Sequence, residues 1–358
     1  MVVRNKLIVF VVTGLARGGA ERVLLNLTSY FLDTGWNIAI ITVLYSEIGY
    51  NFDKRIKIID ISNDGRNKKY INVAYWIFRI SRLLTDLKPE IVISFSLRIN
   101  LIMLIANKKN RCKTIISERN DPKHDGRGLI LRIMSYILYK KADRIVFQTK
   151  YSLNCFNRRI QKKSVVIPNP IKVETIANYN GAHKIVNVAR LYKQKNHVLL
   201  IDSFCKFLDS NPDYLLHIYG EGPLEKKLKK YVSDKGIEES VVFHGNILKI
   251  HENICDAEFF VLSSDYEGMS NALMEAMMMG IPCVTTNVAG TDIIKDGYNG
   301  FKIRVGNTLE MIEAMKKASR MTETDRKRII ENGRASALCY EESVILSQWD
   351  ELINSLLK

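Results

Sequence analysis

Two glutamates eight positions apart stand among residue types that suit a phosphorylated sugar. Glu267 is followed by Gly268, and Glu275 lies within a predicted helix that Ser270 and Asn271 can cap. At the N-terminus of a helix, free N–H groups and the helix dipole attract anions such as phosphate. Two carboxylates would repel a phosphate that they faced directly, but on either side of it they would accept hydrogen bonds from sugar hydroxyls. The stretch therefore predicts a site for a sugar carried on a diphosphate.

The residues around this pair read as a βαβ unit. The pattern predicts an apolar strand at 259–263, a polar loop at 264–271, a helix at 272–279 and a second strand at 283–286. The loop follows the carboxyl end of a strand, which is where ligands bind in open α/β sheets. The alternative interpretation is an ordinary βαβ unit with a solvated loop and one glutamate on an exposed helix face.

The pair Glu267 and Glu275, within EGMSNALMEAMMMGIPCV, resembles the E-x7-E pattern of the family 4 retaining glycosyltransferases, whose fold is called GT-B. The resemblance implies that Glu267 binds hydroxyls of the donor sugar and that Glu275 holds the ribose of the nucleotide. It also implies that the sugar and the diphosphate contact the backbone N–H groups of Gly268, Met269, Ser270 and Asn271.

Two cations precede a predicted helix earlier in this half of the chain. Arg190 ends a predicted strand and Lys195 follows five residues later, a placement that suits a departing diphosphate without a metal. The run V-A-R-L-x-x-x-K-N is similar to the family's motif, in which this arginine and lysine hold the donor diphosphate. Arg190, Lys195 and Glu267 are therefore the main catalytic candidates, and the alternative for the two cations is a pair of solvated charges. The resemblance further implies that the turn at His244 and Gly245 contacts the nucleotide base.

A glycine-rich turn follows the first apolar strand, at residues 6–12. Gly18 and Gly19 open a helix predicted at 20–31, and glycine lets backbone approach a ligand closely. The spacing is not the G-x-G-x-x-G dinucleotide fingerprint, and no acidic residue ends the second strand. In the resembled family, a G-G-A-E loop in this place lies near the donor diphosphate and the acceptor.

The segment IISERNDP, at 115–122, ends another strand of the first half. Many family 4 members carry a histidine in this loop near the reaction centre, but here Arg119, or by a one-residue shift Glu118, takes that place. We expect His124 to lie too far from the reaction centre to replace that histidine. Arg119 would stabilise a leaving diphosphate or bind an acceptor phosphate. The alternative is that Glu118 and Arg119 pair with each other or with loop backbone.

Strands alternate with helical patterns along the chain, which predicts the α/β class with parallel sheets covered on both faces. We expect a Rossmann-like acceptor-binding domain at 1–170 and a Rossmann-like nucleotide-sugar domain at 171–340, separated by the proline-containing stretch at 168–171. The resemblance implies that these domains face each other across a cleft that holds the donor. It also implies that a last helix, at 341–358, crosses back to the first domain.

Length and composition agree with this class. The chain has 358 residues, of which 47% are hydrophobic and 25% charged, and no apolar run reaches the ~18 residues of a membrane span. Because the apolar start leads into a glycine-rich turn, we expect no signal peptide and a cytoplasmic protein. Six cysteines without C-x-x-C spacing are expected to be mostly buried thiols, with neither a zinc site nor a disulfide framework.

The positive charge is concentrated in the first half. Residues 1–170 hold 30 Lys and Arg against 12 Asp and Glu, a net charge of +18, whereas residues 171–358 hold 23 against 26, a net charge of −3. This asymmetry points to a polyanion, either nucleic acid or an anionic membrane surface. Predicted helices at 70–88 and 127–141 combine large apolar residues with Arg and Lys, which favours the membrane, although these apolar residues are alternatively core.

The sequence thus predicts a retaining, metal-independent glycosyltransferase with no cofactor. Its expected donor is a UDP-sugar, and its expected acceptor a saccharide on a polyprenyl diphosphate at the inner face of a bacterial plasma membrane, in the synthesis of capsule, exopolysaccharide or O-antigen. The alternatives are a glycosyltransferase with a soluble acceptor, a sugar phosphorylase or synthase on the same fold, and a nucleic-acid-binding protein. The last is disfavoured because the basic residues are dispersed and no RNA-binding motif or zinc finger is present.

Overall fold

The computed structural model describes residues 6–16, 18–44, 47–62, 73–110 and 112–357. The chain divides into two compact units, one formed by Met1–Pro170 with Glu342–Lys358 and the other by Ile171–Glu341. The first residues of the predicted helix at 70–88 lie outside the described residues.

The first unit is built on a parallel sheet of apolar strands. Its strands in the described residues are β1 (Leu7–Val12), β2 (Asn37–Thr42), β3 (Lys57–Asp60), β4 (Ile91–Phe95), β5 (Lys113–Glu118), β6 (Arg144–Phe147) and β7 (Ser164–Val166). They pair in the order β3-β2-β1-β4-β5-β6-β7. The direction of the strand order reverses between β1 and β4, so a ligand crevice is expected at their carboxyl ends.

Helices cover both faces of this sheet. They are α1 (Gly19–Asp33), α2 (Val73–Leu87), α3 (Leu97–Ala106), α4 (Leu129–Leu138), α5 (Lys150–Asn154) and α6 (Arg158–Gln161). In the layer on one face, α3 contacts both α2 and α4. Apolar side chains of α1 pack on the other face, in the cluster that contains Phe10 and Phe95.

The second unit repeats the same plan. Its strands among the described residues are β8 (Lys184–Val188), β9 (Leu215–Tyr219), β10 (Val241–Gly245), β11 (Phe259–Leu262), β12 (Cys283–Thr286) and β13 (Phe301–Ile303). Its helices are α7 (His197–Leu208), α8 (Glu225–Asp234), α9 (Ile250–Ile254), α10 (Asn271–Met279), α11 (Thr308–Ser319) and α12 (Glu323–Ala337). The parallel strands run in the order β10-β9-β8-β11-β12-β13, so the order reverses between β8 and β11.

The last helix, α13 (Glu342–Leu357), belongs to the first unit. Ile345, Trp349 and Ile353 are fully buried in the same apolar cluster as Phe10 and Phe95. A fragment that ended at Pro170 would therefore expose part of the first unit's core.

The predicted α/β class with parallel sheets is confirmed. The sequence analysis did not predict α6, α9 or β13, each of which has five residues or fewer. The expectation of mostly buried thiols is wrong. Cys283 is buried, but Cys339 is exposed and the other cysteines are only partly buried. In the part of the chain that the structure describes, none of the helices combines the length and apolar character needed to cross a membrane.

Candidate active site

Lys195 and Glu267 meet where the strand order of the second sheet reverses. Lys195 precedes α7, in the connection that follows β8, and Glu267 lies in the loop after β11. The Lys195 ammonium forms an ion pair with Glu267 Oε1, which also accepts a 2.6 Å hydrogen bond from the Ser264 hydroxyl. Gln194 Nε2 lies 3.4 Å from Glu267 Oε2. Only 4% of Glu267 is exposed, so its carboxylate is held by these polar groups and not by bulk water.

Hydrogen bonds tie the two connections together. The Asp265 amide donates to the Gln194 carbonyl at 2.8 Å, and the Ser263 hydroxyl donates to the Lys195 carbonyl at 2.8 Å. Asn196 donates from Nδ2 to Asp265 Oδ1 at 2.7 Å while its own Oδ1 caps α7. The side chains of Lys195 and Glu267 are therefore fixed by backbone as well as by each other.

The N-terminus of α10 lies beside this pair. Ser270 caps the helix by accepting a hydrogen bond from the Leu273 amide at 3.4 Å. A Cβ atom on Gly290 would lie 2.9 Å from both Glu267 Cβ and the Gly268 carbonyl oxygen. Only glycine fits at this position without displacing the loop.

Glu275 is buried on α10, with 6% of its surface exposed. His251, on α9, lies with Nε2 at 3.2 Å from Glu275 Oε2. This histidine fixes the direction of the carboxylate.

Arg190 differs from Lys195 in being exposed. Its guanidinium lies 5.2 Å from the centre of the Tyr192 ring and forms no ion pair with any described residue. The backbone beside it is fixed, because Leu191 donates a 2.9 Å hydrogen bond to the Glu221 carbonyl, and a Cβ atom on Gly222 would lie 2.6 Å from the Leu191 carbonyl oxygen. Arg190 is thus a solvent-exposed cation on a fixed strand end.

His244, at the end of β10, forms an aromatic stack with two neighbours. Its ring lies 4.3 Å from that of Tyr219, and its Nε2 lies 2.8 Å from His217 Nδ1. Burial lowers the pKa of His244, and it lowers the pKa of His217 to about 4. Both rings are therefore neutral at pH 7, so one donates and the other accepts in their hydrogen bond. Gly245 follows with a φ of 67°, in the region that favours glycine.

In the first unit, the glycine pair begins α1. Gly18 is the N-cap residue and Gly19 the first helical residue. The Glu21 carboxylate folds back over Gly18, so closely that a side chain there would collide with it. Gly18 also accepts a 3.2 Å hydrogen bond on its carbonyl from the Tyr50 hydroxyl.

Glu118 is buried in the first unit and is held by the side chains of two other residues. It is 1% exposed, and its carboxylate accepts hydrogen bonds from the Tyr139 hydroxyl and, at 2.8 Å, from Arg127. Burial raises the pKa of this carboxyl, while Arg127 acts in the opposite direction. The interpretation that Glu118 and Arg119 pair with each other is wrong, since Arg127 takes that place.

Arg119 points away from Glu118. Its Nη1 donates a 2.7 Å hydrogen bond to Asn169 Oδ1, and its guanidinium lies 4.7 Å from the centre of the Phe95 ring and 5.8 Å from that of Trp349. It is 8% exposed, and burial lowers its pKa to about 9, so the side chain stays charged at neutral pH. His124 instead contacts Asp121, with 2.7 Å between Nδ1 and Oδ2.

Family comparisons cover both units. Residues 170–336 match the family model described as Glycosyl transferases group 1, and residues 17–175 match the model described as Glycosyltransferase Family 4. The chain belongs to the glycosyltransferases.

Relatives of this glycosyltransferase align with most of its length. A Campylobacter jejuni protein named N-acetylgalactosamine-N,N'-diacetylbacillosaminyl-diphospho-undecaprenol 4-alpha-N-acetylgalactosaminyltransferase is 27% identical over 344 residues, 90% of this chain and 92% of that protein. Poly(ribitol-phosphate) alpha-N-acetylglucosaminyltransferase of Staphylococcus aureus is 26% identical over 337 residues, 87% of this chain and 66% of that protein.

A solved structure shows the fold. The crystal structure of Anabaena HepE in complex with UDP and glucose is similar to this glycosyltransferase with a TM-score of 0.82 and 16% identity, covering 98% of this chain and 100% of that one. The predicted GT-B architecture of two Rossmann-like domains is therefore confirmed.

The site of the glycosyltransferase contains residues that the sequence analysis missed. Gln194 and Ser264 hold Glu267, His251 holds Glu275, and Gly290 makes room for the loop. Ordinary residue types such as Gln and Ser give no sequence signal of their own. Gly290, shortly after the strand predicted at 283–286, was a usable sequence signal for the site. A glycine in such a position often marks a place where two backbone segments approach closely.

Proposed function

We propose that this glycosyltransferase is a retaining, metal-independent enzyme that moves a sugar from a UDP-sugar to a saccharide carried on a polyprenyl diphosphate. The observation that carries the proposal is the junction of β8 and β11. There a cation, Lys195, and a sugar-binding candidate, Glu267, are in direct contact beside the capped N-terminus of α10.

The donor's diphosphate would interact with Arg190, Lys195 and the backbone N–H groups in the first turn of α10. These groups supply positive charge where the bond between the sugar's anomeric carbon and the diphosphate oxygen breaks. An ammonium has three N–H donors, so Lys195 is able to keep its contact with Glu267 while it donates to a phosphate oxygen. Glu267 would then accept hydrogen bonds from the sugar's hydroxyls.

The nucleotide would bind through Glu275 and the turn after β10. Glu275 is oriented by His251, and a carboxylate accepts several hydrogen bonds at once, which suits two neighbouring ribose hydroxyls. The ring stack at His244 offers a flat surface next to a glycine turn, which suits a nucleotide base. The similar Anabaena structure was solved in complex with UDP, which supports UDP as the nucleotide.

The acceptor is proposed from two independent features. The name of the Campylobacter relative includes a diphospho-undecaprenol acceptor. In this chain, one helix of the first unit carries an exposed apolar ridge, formed by Leu129, Ile130, Ile133 and Ile137 of α4. A lipid-linked acceptor and an apolar surface are both explained if the first unit lies on the membrane.

Charge supports the same placement. Residues 1–170 carry a net charge of +18, and residues 342–358 hold three acids and one lysine, so the first unit carries +16. An anionic membrane surface attracts such a unit. We therefore propose that the enzyme works at the inner face of a bacterial plasma membrane, in the synthesis of a surface polysaccharide.

A panel of nucleotides and nucleotide sugars tests the donor. UDP and UDP-sugars should raise the melting temperature of the native chain, because a ligand that binds only the folded state stabilises it. The stabilising UDP-sugar is then incubated with a synthetic polyprenyl-diphosphate saccharide, and transfer is followed by mass spectrometry. No stabilisation by any nucleoside diphosphate would contradict the proposal. Transfer only to soluble saccharides would contradict its acceptor.

A further inference from the structure

A cavity of about 60 Å³ lies within the first unit at the point where its strand order reverses. Thr13 and Gly14 follow β1, Ser96 follows β4 and Arg119 follows β5, and all four line the cavity. The first turn of α1, including Glu21, completes the wall. This is the position at which ligands bind in open α/β sheets.

Arg119 has hydrogen-bonding capacity that the described residues leave unused. Its Nη1 donates to Asn169, but its Nε and Nη2 are buried and donate to no described residue. The charge faces the rings of Phe95 and Trp349, and no carboxylate of a described residue pairs with it. Because a buried, partly unpaired guanidinium is costly, such a group in a cavity marks a missing partner.

The missing partner has to be an acceptor with negative charge. Nε and Nη2 lie on one edge of the planar guanidinium, an arrangement that matches two oxygens of a carboxylate or a phosphate. The cavity has room for such a group, since a single water needs only about 10–15 Å³.

Two further features of the cavity wall agree with the binding of an anionic group. Gly19 begins a long helix there, and a helix N-terminus favours an anion. Ser96 has a φ of 74°, a strained conformation for a residue with a side chain, and such strain is concentrated at binding sites. The Glu21 carboxylate also lines the cavity, but it is folded back over Gly18, against the start of its own helix.

We propose that this cavity binds a carboxylate or phosphate group of a saccharide substrate through Nε and Nη2 of Arg119, and that Arg119 determines specificity for an anionic substrate. The inference rests on the proposed function for the identity of the substrate, but the anion site itself is independent of it. Since we propose that Arg190 and Lys195 bind the donor diphosphate, two sources of the anionic group remain, a uronic acid on the donor sugar or the diphosphate of the acceptor.

Anion binding is measured first, without any sugar transfer. The chain has three tryptophans, and replacing Trp36 and Trp76 by Phe leaves only Trp349, beside Arg119. Phosphate and glucuronate should change its fluorescence in a saturable manner, whereas glucose should not. Arg119→Gln should weaken anion binding by about tenfold or more. Arg98→Gln is the matched control, because Arg98 is an exposed arginine in the first turn of α3.

Arg119→Lys keeps the test informative if Arg119→Gln does not fold. Lysine retains the charge but lacks the planar pair of donors, so anion affinity should still fall several-fold. Anion binding by Arg119→Lys equal to that of the native chain would overturn the proposal. So would the absence of any saturable fluorescence change with phosphate and glucuronate.

The two sources are separated in the full-length enzyme. If the anion belongs to the donor, the native chain binds UDP-glucuronate more tightly than UDP-glucose, and Arg119→Gln abolishes this preference while UDP binding is unchanged. If it belongs to the acceptor, both donors bind alike and the variant raises KM for the lipid diphosphate more than it lowers kcat. Anion binding that depends on Arg119, in a chain that binds no UDP, would refute the proposed function and leave the anion site standing.

Discussion

Lys195 and Glu267 form a buried ion pair between the two loops that follow β8 and β11. We therefore propose two tasks for Lys195, which neutralises Glu267 in the ligand-free enzyme and would bind the donor diphosphate. Arg190 lacks the first task, because it is exposed and its guanidinium forms no ion pair with any described residue. Because of this difference, substitutions of the two cations should have different effects on stability.

Arg190→Ala should lower kcat by about tenfold or more, the loss expected for one hydrogen bond to a charged group, while the free energy of unfolding changes by less than about 0.5 kcal/mol. Lys195→Ala should lower both, because it leaves the Glu267 carboxylate buried without a cation. The double variant should lose more activity than either single variant. Lys193→Ala, an exposed lysine on the same turn, is the control. Near-native turnover of the double variant would refute the assignment of the leaving-group site.

Glu275→Ala should weaken UDP binding by about 1.5–3 kcal/mol, because the ribose hydroxyls lose a charged acceptor. Isothermal titration calorimetry measures the change. His251→Ala should have a smaller effect, since it removes one contact of the carboxylate and leaves the carboxylate itself in place. Glu252→Ala, an exposed glutamate on the same helix as His251, serves as control. An unchanged dissociation constant in Glu275→Ala would exclude the ribose assignment.

Chelation tests whether the cationic groups of the protein are sufficient to bind the donor diphosphate without a metal. We expect EDTA to leave the transfer rate unchanged, because in our proposal Arg190, Lys195 and the α10 N-terminus would provide the positive charge that a metal provides elsewhere. Mg²⁺ added afterwards is the control for chelation. Strong inhibition by EDTA that Mg²⁺ reverses would show that the diphosphate is bound through a metal.

The sequence predicted elements with strong patterns and missed those without them. The strand Cys283–Thr286 was predicted with its observed bounds, because its β-branched residues closely follow a proline and so give a clear strand signal. The three-residue strand β13 was missed, since Phe301–Ile303 is too short to show a period.

The same limit applies to the site. Motifs of glycines and charged residues that resemble those of the family were visible in the sequence. They made both Lys195 and Glu267 candidates for the active site. Their direct contact was not visible, because 72 positions separate them in the chain. Glu118 and Arg119 are neighbours in sequence, yet the first is packed inside the unit and the second faces a cavity. Adjacent residues at a strand end point to opposite faces, and the sequence alone did not assign the faces.

His197 should make the second unit sensitive to acid. Its ring is 2% exposed, neither ring nitrogen has a hydrogen-bond partner among the described residues, and burial lowers its pKa to about 4. The unfolded chain, with a pKa near 6.5, binds a proton that the folded chain does not bind between about pH 6.5 and 4. Stability should therefore fall as the pH is lowered through this range.

Because of this histidine, the free energy of unfolding should be about 2 kcal/mol lower at pH 5 than at pH 7. Urea unfolding at the two pH values measures the loss, and His197→Phe should reduce it because phenylalanine does not titrate. An equal loss of stability in the native chain and in His197→Phe would exclude His197 as its source.

The exposed ridge of α4 should bind the enzyme to anionic membranes. Ile130 is 73% and Ile133 50% exposed, and Lys140 and Lys141 follow at the end of the helix. Inserting one such isoleucine into lipid is worth about 1.5–3 kcal/mol at full burial, and each basic residue near the surface adds about 1 kcal/mol. The native chain should therefore sediment with vesicles that contain phosphatidylglycerol and only weakly with phosphatidylcholine vesicles.

Variants of the full-length chain separate the two contributions. Ile130→Ser with Ile133→Ser should reduce binding at every salt concentration, since apolar insertion is not screened. Lys140→Glu with Lys141→Glu should reduce it mainly at low salt, because screening acts beyond about 10 Å at 0.1 M. Leu248→Ser with Leu309→Ser is the matched control, as these leucines of the second unit are 78% and 75% exposed. If the native chain ignores anionic vesicles at low salt, or if the isoleucine and leucine variants bind alike, the α4 ridge is not a membrane surface and a soluble acceptor becomes the better hypothesis.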